Sequence, residues 1–198
     1  MKKIDCRGLN CPEPVLKTKD VLAREPDKII QVLVDNETAR ENVLRFAKNQ
    51  GRSPAWEKDN NQFLITIPGK SEQKAPEPLS VKDEAGMEKP VLFIATDEMG
   101  KGSRELGTML MRNFIYTLTK RDQLPAAIIF MNSGVKLSIA DSPVIEELGY
   151  LEQNGVQILV CGTCLDYYEL KEKHKAGLVS NMYDIADLLL GADRVISI

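Results

Sequence analysis

A stretch without apolar periodicity divides the chain into two blocks. Residues 68–90 are rich in Lys, Glu, Pro and Ser, as in Lys74-Ala75-Pro76-Glu77-Pro78, and carry neither a helical nor a strand-like pattern. Such a composition offers too little apolar surface to pack and is typical of a flexible linker. We therefore expect a domain over residues 1–68, a linker over 69–89 and a second domain over 90–198, each domain being long enough to bury a core.

The composition and charge exclude several classes of function. Of the 198 residues, 43% are hydrophobic and 28% are charged, which is ordinary for a soluble globular protein. A net charge of −3 gives no general attraction to nucleic acid or to an anionic membrane, so we expect neither as a partner. The N-terminus is charged before any apolar run develops, and no apolar stretch has the length of a membrane span. These features predict a cytoplasmic protein.

The second block alternates between strand-like and helix-like segments. It begins with Val91-Leu92-Phe93-Ile94-Ala95, a continuous apolar run of the kind found in buried parallel strands. Further strands are predicted over 126–131, 156–160 and 194–198, with helices over 103–120, from Ser142-Pro143 to about 154, after Cys164, and over 182–190. This alternation predicts a three-layer α/β domain whose parallel sheet is covered on both faces and binds ligands at the carboxyl ends of its strands.

The first block has a different order of elements. Strand-like runs over 2–6 and 29–34 are each followed by a helical pattern, and a hairpin comes last. The order β-α-β-α-β-β predicts a two-layer α/β sandwich with the helices on one face of a small mixed sheet. The predicted helices span 12–23 and 39–49, and the hairpin strands span 53–58 and 63–67 around the turn Asp59-Asn60-Asn61. Trp56 is interpreted as a packing residue.

Cys11 is the strongest candidate for a reactive residue in the first block. It directly precedes Pro12, which the pattern places at the first position of a helix. Amides of the first helical turn and the positive end of the helix dipole stabilise a thiolate there. The positive charge of Arg7 adds to this effect, whereas Glu13 opposes it, and Pro14 stiffens the turn that holds the sulfur. The alternative is a small buried hydrophobic residue.

The residues around Cys11 carry a family resemblance. The pattern Asp5-x-x-Gly8-Leu9-x-Cys11-Pro12-x-Pro14 resembles the signature of the TusA (SirA-like) sulfur-carrier family, in length and element order over residues 1 to about 68. The resemblance implies that Cys11 carries a persulfide sulfur, with Asp5, Arg7, Gly8, Pro12, Glu13 and Pro14 as supporting residues. Cys6 lies outside the motif, and we favour a packing residue at the strand end over a resolving thiol.

The four cysteines form two close pairs, Cys6/Cys11 and Cys161/Cys164. In a reducing compartment, reactive or metal-binding roles are expected before structural disulfides. The second pair belongs to Cys161-Gly162-Thr163-Cys164, between a strand and a helix, where one sulfur lies near helix amides and the other can resolve a disulfide or persulfide. A zinc site is disfavoured because it needs two further ligands and His174 stands alone. Two alternatives remain: a thioredoxin-like redox centre, although the chain lacks the element order of that fold, and two inert buried thiols, although they lie at a predicted ligand edge.

Three loops follow predicted strands at the same edge of the second sheet. They are residues 96–103, Asn132-Ser133-Gly134-Val135 and Cys161-Gly162-Thr163-Cys164, and we expect them to converge on one crevice. The first loop contains Gly100-Lys101-Gly102-Ser103, which superficially suggests a phosphate loop. Ala95 stands where its first glycine is required and Gly102 where the magnesium-binding Ser or Thr is required, so an ordinary turn is predicted.

Residues 90–198 resemble the DsrE-like family, in which a cysteine at this strand end can accept or relay sulfur. The whole chain resembles the YedF family, sulfurtransferase-like proteins associated with selenium metabolism. That second resemblance rests on the fusion of the two blocks and on three short motifs: Asn132-Ser133-Gly134-Val135, Cys161-Gly162-Thr163-Cys164-Leu165 and Ser180-Asn181-Met182-Tyr183.

These resemblances imply a sulfur or selenium carrier that needs no cofactor. Cys11 would accept sulfane sulfur from a cysteine desulfurase or another donor protein and pass it to an acceptor protein or to the C-terminal cysteines. We place Cys161 before Cys164 as the C-terminal acceptor, although the roles can be reversed. The alternative is a regulatory module that senses redox or persulfide state without turnover. Self-association through the C-terminal domain is left open.

Overall fold

The computed structural model describes residues 1–9, 12–59, 62–70 and 89–198. These residues form two compact units, each built on its own β-sheet. Three sequence predictions fall wholly or partly outside the described residues: those for Cys11, for Asn60 and Asn61 of the hairpin turn, and for positions 71–88 of the linker. The ends of that predicted linker are described, and Lys70 donates its backbone N–H to the carbonyl of Pro26 at 2.9 Å.

The N-terminal unit has the predicted order β-α-β-α-β-β. Its elements are β1 (Lys2–Asp5), α1 (Glu13–Arg24), β2 (Ile30–Val34), α2 (Glu37–Asn49), β3 (Ala55–Asp59) and β4 (Gln62–Ile67). The sheet order is β1-β2-β4-β3, with β1 parallel to β2 and the other pairs antiparallel. Helix α2 starts two residues earlier than predicted because the Asn36 side chain accepts the N–H of Ala39 at 2.8 Å and caps it.

Alternation along the strands builds the core of this unit. In β2 and β4 every second residue is buried, while the intervening residues are partly exposed. The core comprises Ile30, Val32, Val34, Phe63, Ile65 and Ile67 from these strands and Val15, Leu22, Val43 and Phe46 from the helices. Trp56 lies at the margin of the unit: the residue is 45% exposed, and the centre of its ring lies 4.3 Å from the guanidinium carbon of Arg40. It therefore packs, but outside the core.

The C-terminal unit is an all-parallel sheet with helices, as predicted. Its elements are β5 (Val91–Ile94), α3 (Arg104–Leu118), β6 (Ala127–Phe130), α4 (Ile145–Gln153), β7 (Gln157–Cys161), α5 (Gly162–Tyr167), β8 (Leu178–Ser180), α6 (Met182–Gly191) and β9 (Val195–Ser197). The strand order is β8-β7-β6-β5-β9. The chain moves across the sheet from β5 to β8 and then returns to place β9 on the other side of β5. Because connections between parallel strands are right-handed, this return places α6 on the opposite face of the sheet from α3 and α4.

Four details of this unit differ from the sequence predictions. Strand β8 was not predicted, and neither was the 3-10 segment Asn132–Ser138 that follows β6. Helix α4 begins at Ile145, because the Ser142 hydroxyl accepts the N–H of Val144 at 3.4 Å in a turn that precedes the helix. Helix α5 begins at Gly162, so Cys164 lies inside its first turn and does not precede it.

No helix in the described parts of the chain is both long enough and apolar enough to cross a membrane.

His174 gives a direct test of the packing around β8. It is the only histidine of the chain, and its Nδ1 and Nε2 lie 3.3 Å from the Ser138 hydroxyl and 3.0 Å from the Gly177 carbonyl. Burial lowers the pKa of the imidazole, against smaller opposing effects of Gly177 and Glu152. We expect its NMR titration to have a midpoint below 6.5, the value for an exposed imidazole, and to return toward 6.5 in urea.

The sign of the linked stability change follows from this shift. The unfolded imidazole takes up a proton as the pH falls through 6.5, whereas the folded imidazole resists it, so His174 reduces stability below that pH. A native-state midpoint at or above 6.5 would contradict the burial of this side chain.

Candidate functional sites

The turn that leads to Cys11 is held by an ion pair between Asp5 and Arg7. The Asp5 carboxylate accepts from Arg7 Nε at 2.9 Å, from Nη2 at 2.6 Å and from the Arg7 backbone N–H at 3.1 Å. The side-chain hydrogen bond from Arg7 is the main cause that lowers the pKa of Asp5 to about 2. The charge of Arg7 is thus already paired, and its predicted contribution to a thiolate at Cys11 is correspondingly reduced.

Gly8 continues this turn with a backbone that favours glycine. Its φ is +71°, in the left-handed region, and its N–H donates to Asp35 Oδ2 at 2.7 Å. This bond joins the motif to the end of β2. Asp35 directly follows β2, and no spacing signal in the sequence links it to Gly8.

The helix after Cys11 starts one residue later than predicted. Pro12 is the N-cap and α1 begins at Glu13, so Pro14 occupies the second helical position. Pro14 is buried, and its carbonyl accepts a hydrogen bond from the Thr18 hydroxyl at 2.7 Å, which links the first turn of α1 to the second. Glu13 is exposed. Cys11 itself lies outside the described residues and directly precedes this cap in the sequence.

Cys6 is a packing residue, as favoured from the sequence. Its side chain is completely buried in the N-terminal core, and its N–H donates to the carbonyl of Leu33 at 2.8 Å. Burial raises the pKa of its thiol. Both effects make Cys6 a poor nucleophile.

The three loops of the C-terminal unit converge, as predicted. Met131, just after β6, donates its N–H to the carbonyl of Ile94 at the end of β5, and Asp97 donates its N–H to the Ser133 hydroxyl at 3.3 Å. The backbone N–H of Asn132 reaches Cys164 Sγ at 3.2 Å, which joins the second loop to the third. The three strand ends therefore share one site.

Cys164 is the partly exposed sulfur of this site, and Asn132 is its donor. Asn132 adopts a left-handed φ of +45°, which directs its N–H toward the sulfur. Its side-chain oxygen accepts the hydroxyl of Tyr168 at 2.8 Å. A backbone amide aimed at a sulfur stabilises negative charge on it. The sequence pattern missed Tyr168, because it becomes a neighbour only through the fold.

Cys161 has a different environment three residues away. Its side chain is only 2% exposed, and burial raises the pKa of its thiol to about 12 despite an opposing effect of the Cys164 and Thr163 amides. The side chain of Cys164 also interacts directly with it. The sequence-based preference for Cys161 as the acceptor stays a prediction, whereas the more accessible and hydrogen-bonded sulfur of the pair is that of Cys164.

Lys136 brings a positive charge to the same loops. Its Nζ lies 4.9 Å from the centre of the Tyr168 ring and 3.9 Å from Asp97 Oδ2. The Asp97 carboxylate partly neutralises it. Lys136 therefore helps to hold the Tyr168 ring beside Asn132 more than it supplies free charge.

Metal and phosphate chemistry find no support in the described residues. Within them, no three His, Cys, Asp or Glu side chains are grouped as metal ligands. The turn before α3 has left-handed φ values of +80° at Gly100 and +151° at Gly102, and the Ser103 hydroxyl accepts the N–H of Leu106 at 3.4 Å. The segment is a glycine-containing turn, in line with the prediction, and Ser103 caps α3.

Comparisons with known proteins agree with the two sequence resemblances. The family described as sulfurtransferase TusA matches residues 2–68, and the DsrE/DsrF-like family matches residues 91–198. A protein of Methanocaldococcus jannaschii is 41% identical over 69 residues, which are 34% of this chain and 92% of that protein. One of Archaeoglobus fulgidus is 36% identical over 53 residues, 26% of this chain and 69% of that protein. Both bear the name "putative sulfur carrier protein".

Two solved structures are similar to separate parts of the chain. The SirA-like protein of Desulfitobacterium hafniense shares 38% identity, covers 35% of this chain and 100% of that one, and gives a TM-score of 0.33. The ychN protein of E. coli shares 16% identity over 56% of this chain and 99% of that one, with a TM-score of 0.43. From the family matches and the archaeal relatives, the chain belongs to the TusA family through its N-terminal part and to the DsrE/DsrF-like family through its C-terminal part.

Proposed function

We propose that this protein is a sulfur carrier with two centres, in which Cys11 receives sulfane sulfur from a donor protein and Cys164 receives it from Cys11. Membership of the two families supports the carrier role. The observation that carries the choice of the second centre is the 3.2 Å contact from the Asn132 N–H to Cys164 Sγ, on a partly exposed sulfur. Residues 69–89 are proposed to tether the two carriers, so that transfer between them is intramolecular.

The proposed transfer needs no oxidant and no general acid or base. The Cys164 thiolate attacks the outer sulfur of a Cys11 persulfide, and a new sulfur–sulfur bond forms as the bond to Cys11 Sγ breaks. Cys11 leaves as a thiolate, and the persulfide proton stays on the transferred sulfur. One thiolate and one persulfide are therefore present before and after the step. The amide of Asn132 stabilises the attacking thiolate.

Loading by a cysteine desulfurase tests the first centre. The full chain, incubated with the desulfurase and cysteine, is expected to gain one labile sulfur at Cys11, whereas a Cys11→Ser variant gains almost none. Intact-mass and peptide analysis after alkylation measure the gain. Cys6→Ser is the matched control, because that thiol is completely buried and its replacement should leave the loading unchanged. Equal loading of the parent and the Cys11→Ser variant would refute the assignment.

A persulfide sensor is the second candidate function, and the direct interaction between the Cys161 and Cys164 side chains favours it. The Cys161 thiol would attack the inner sulfur of a Cys164 persulfide, which gives the Cys161–Cys164 disulfide and releases hydrogen sulfide. Turnover separates the two functions. A carrier returns its sulfur to an added thiol acceptor and regains free cysteines, whereas a sensor accumulates the disulfide.

The choice between sulfur and selenium belongs to the same proposal. Both elements react with a thiolate in the same way, so the geometry of Cys164 serves either. Loading from selenocysteine in place of cysteine, with selenium measured by elemental mass spectrometry, distinguishes them. We propose sulfur as the cargo, and a marked preference for the selenium donor would overturn that choice.

Self-association through the C-terminal unit is also proposed. The solvent face of α3 exposes four large apolar side chains, and exposed apolar patches commonly mark protein contacts. They are Leu106, Met109, Leu110 and Tyr116. Sedimentation velocity of the full chain tests this proposal, and a monomer at every concentration would refute it.

A further inference from the structure

We propose that the C-terminal unit has a second binding site, for a small organic anion with an apolar tail, at the amino ends of β5 and β9. A cavity of 360 Å³ lies there. Lys89 precedes β5, Arg194 precedes β9, and the end of α3 closes the cavity on one side. This is the sheet edge opposite the cysteines, so the site goes beyond the proposed sulfur chemistry.

The walls of the cavity are apolar. They include Leu92 from β5, Ile196 from β9, Phe114 and Leu118 from α3, and Leu124 from the loop before β6. All five side chains keep contact with the main core while facing the cavity. The volume is at the lower end of the roughly 300–1,000 Å³ found for ligand pockets. An apolar group of moderate length is therefore the chemistry that the walls accept.

Three cationic side chains line the same cavity, those of Lys89, Arg121 and Arg194. No Asp or Glu is among its lining residues in the described part of the chain. Asp122 and Asp193 are sequence neighbours of the two arginines but do not line the cavity. Three positive charges without a lining carboxylate repel one another, and a bound anion relieves this repulsion.

The combination points to an alkyl carboxylate as the ligand class. Guanidinium groups bind a carboxylate with two parallel hydrogen bonds, which favours this headgroup over a neutral one. The tail would enter between Leu118 and Ile196 and remove apolar surface from water. A cationic amphiphile with the same tail would be repelled by the three positive charges, so its binding at the site is disfavoured.

Calorimetric titration of the full chain with decanoate tests the site. We expect one-to-one binding, with affinity falling a few-fold for each methylene removed in the series decanoate, octanoate and hexanoate. Decyltrimethylammonium should bind at least about tenfold more weakly. An Arg121→Gln/Arg194→Gln double variant should lose about tenfold or more in decanoate affinity. Amide NMR shifts should change at Leu118, Leu124 and Ile196.

Arg112→Gln is the matched control. Arg112 is an exposed arginine on α3 that does not line the cavity, so its replacement should change the affinity by less than about twofold. All the arginines that are changed are exposed, and melting temperatures confirm that the variants fold. The site is refuted by absence of decanoate binding, by equal binding of decyltrimethylammonium, by an unchanged affinity of the double variant, or by shifts confined to residues 132–135.

Discussion

Replacing Cys164 with Ser is expected to abolish persulfide formation in residues 91–198, whereas replacing Cys161 with Ser should leave it largely intact. Burial raises the pKa of the Cys161 thiol to about 12, so little thiolate forms at neutral pH, and the buried side chain is also shielded from a partner. Cys164 is partly exposed, and its sulfur accepts a hydrogen bond from the backbone N–H of Asn132. After loading by a desulfurase, alkylation and fragment-ion mass analysis locate the labile sulfur.

The two serine variants are matched, because each replaces a single thiol by a hydroxyl and the two positions are only three residues apart. Folding of each is checked by circular dichroism, since Cys161 belongs to the C-terminal core. Labile sulfur that persists on Cys161 in the Cys164→Ser variant would reverse the assignment. Loss of sulfur in both variants would indicate that the two thiols act as a unit.

Replacing Gly134 with Ala is expected to destabilise the C-terminal unit by about 3 kcal/mol. An added Cβ would overlap the carbonyl oxygen of Ile94 and lie 3.2 Å from its carbonyl carbon, and both of these neighbours are backbone atoms. The loop after β6 would have to move away from β5, and Asn132 would move with it. We therefore expect a melting temperature lower by roughly 10 °C and slower loading of Cys164.

Gly149→Ala is the control for this prediction. Gly149 lies inside α4, and an added Cβ there meets no atom within 4 Å. Alanine has a higher helix propensity than glycine, so this variant should gain about 0.5–1 kcal/mol. Thermal unfolding of both variants measures the difference. If the two alanines have the same effect on the melting temperature, the close contact between the two loops is wrong.

The order of elements could be predicted from the sequence wherever the apolar period was long enough. The continuous apolar run that became β5 and the strand–helix alternation after it predicted the parallel sheet, and the order β-α-β-α-β-β predicted the two-layer N-terminal unit. Strand β8 escaped prediction because its three residues give no period, and only Ser180 is fully buried. Short elements of this kind are defined by pairing with a neighbour, which a single sequence does not display.

The candidate site was only partly predictable for a similar reason. Position at a strand end located Cys161 and Cys164, but their relative exposure depends on the 3-10 segment Asn132–Ser138, which carries no recognisable pattern. Likewise, the sequence showed the charge of Arg7 but not that Asp5 neutralises it. Composition and spacing thus identify reactive residue types, whereas burial and pairing of charges are set by contacts between distant segments.

A pulse-chase measurement on the full chain tests the sulfur relay most directly. The chain is loaded briefly with ³⁵S from a desulfurase, the donor is removed, and the label on Cys11, Cys161 and Cys164 is followed with time in the parent and in the Cys11→Ser variant. We predict that label appears first on Cys11, decays there as it rises on Cys164, and is missing from both positions in the variant. Label that stays on Cys11, or that reaches Cys164 equally fast without Cys11, would contradict the relay.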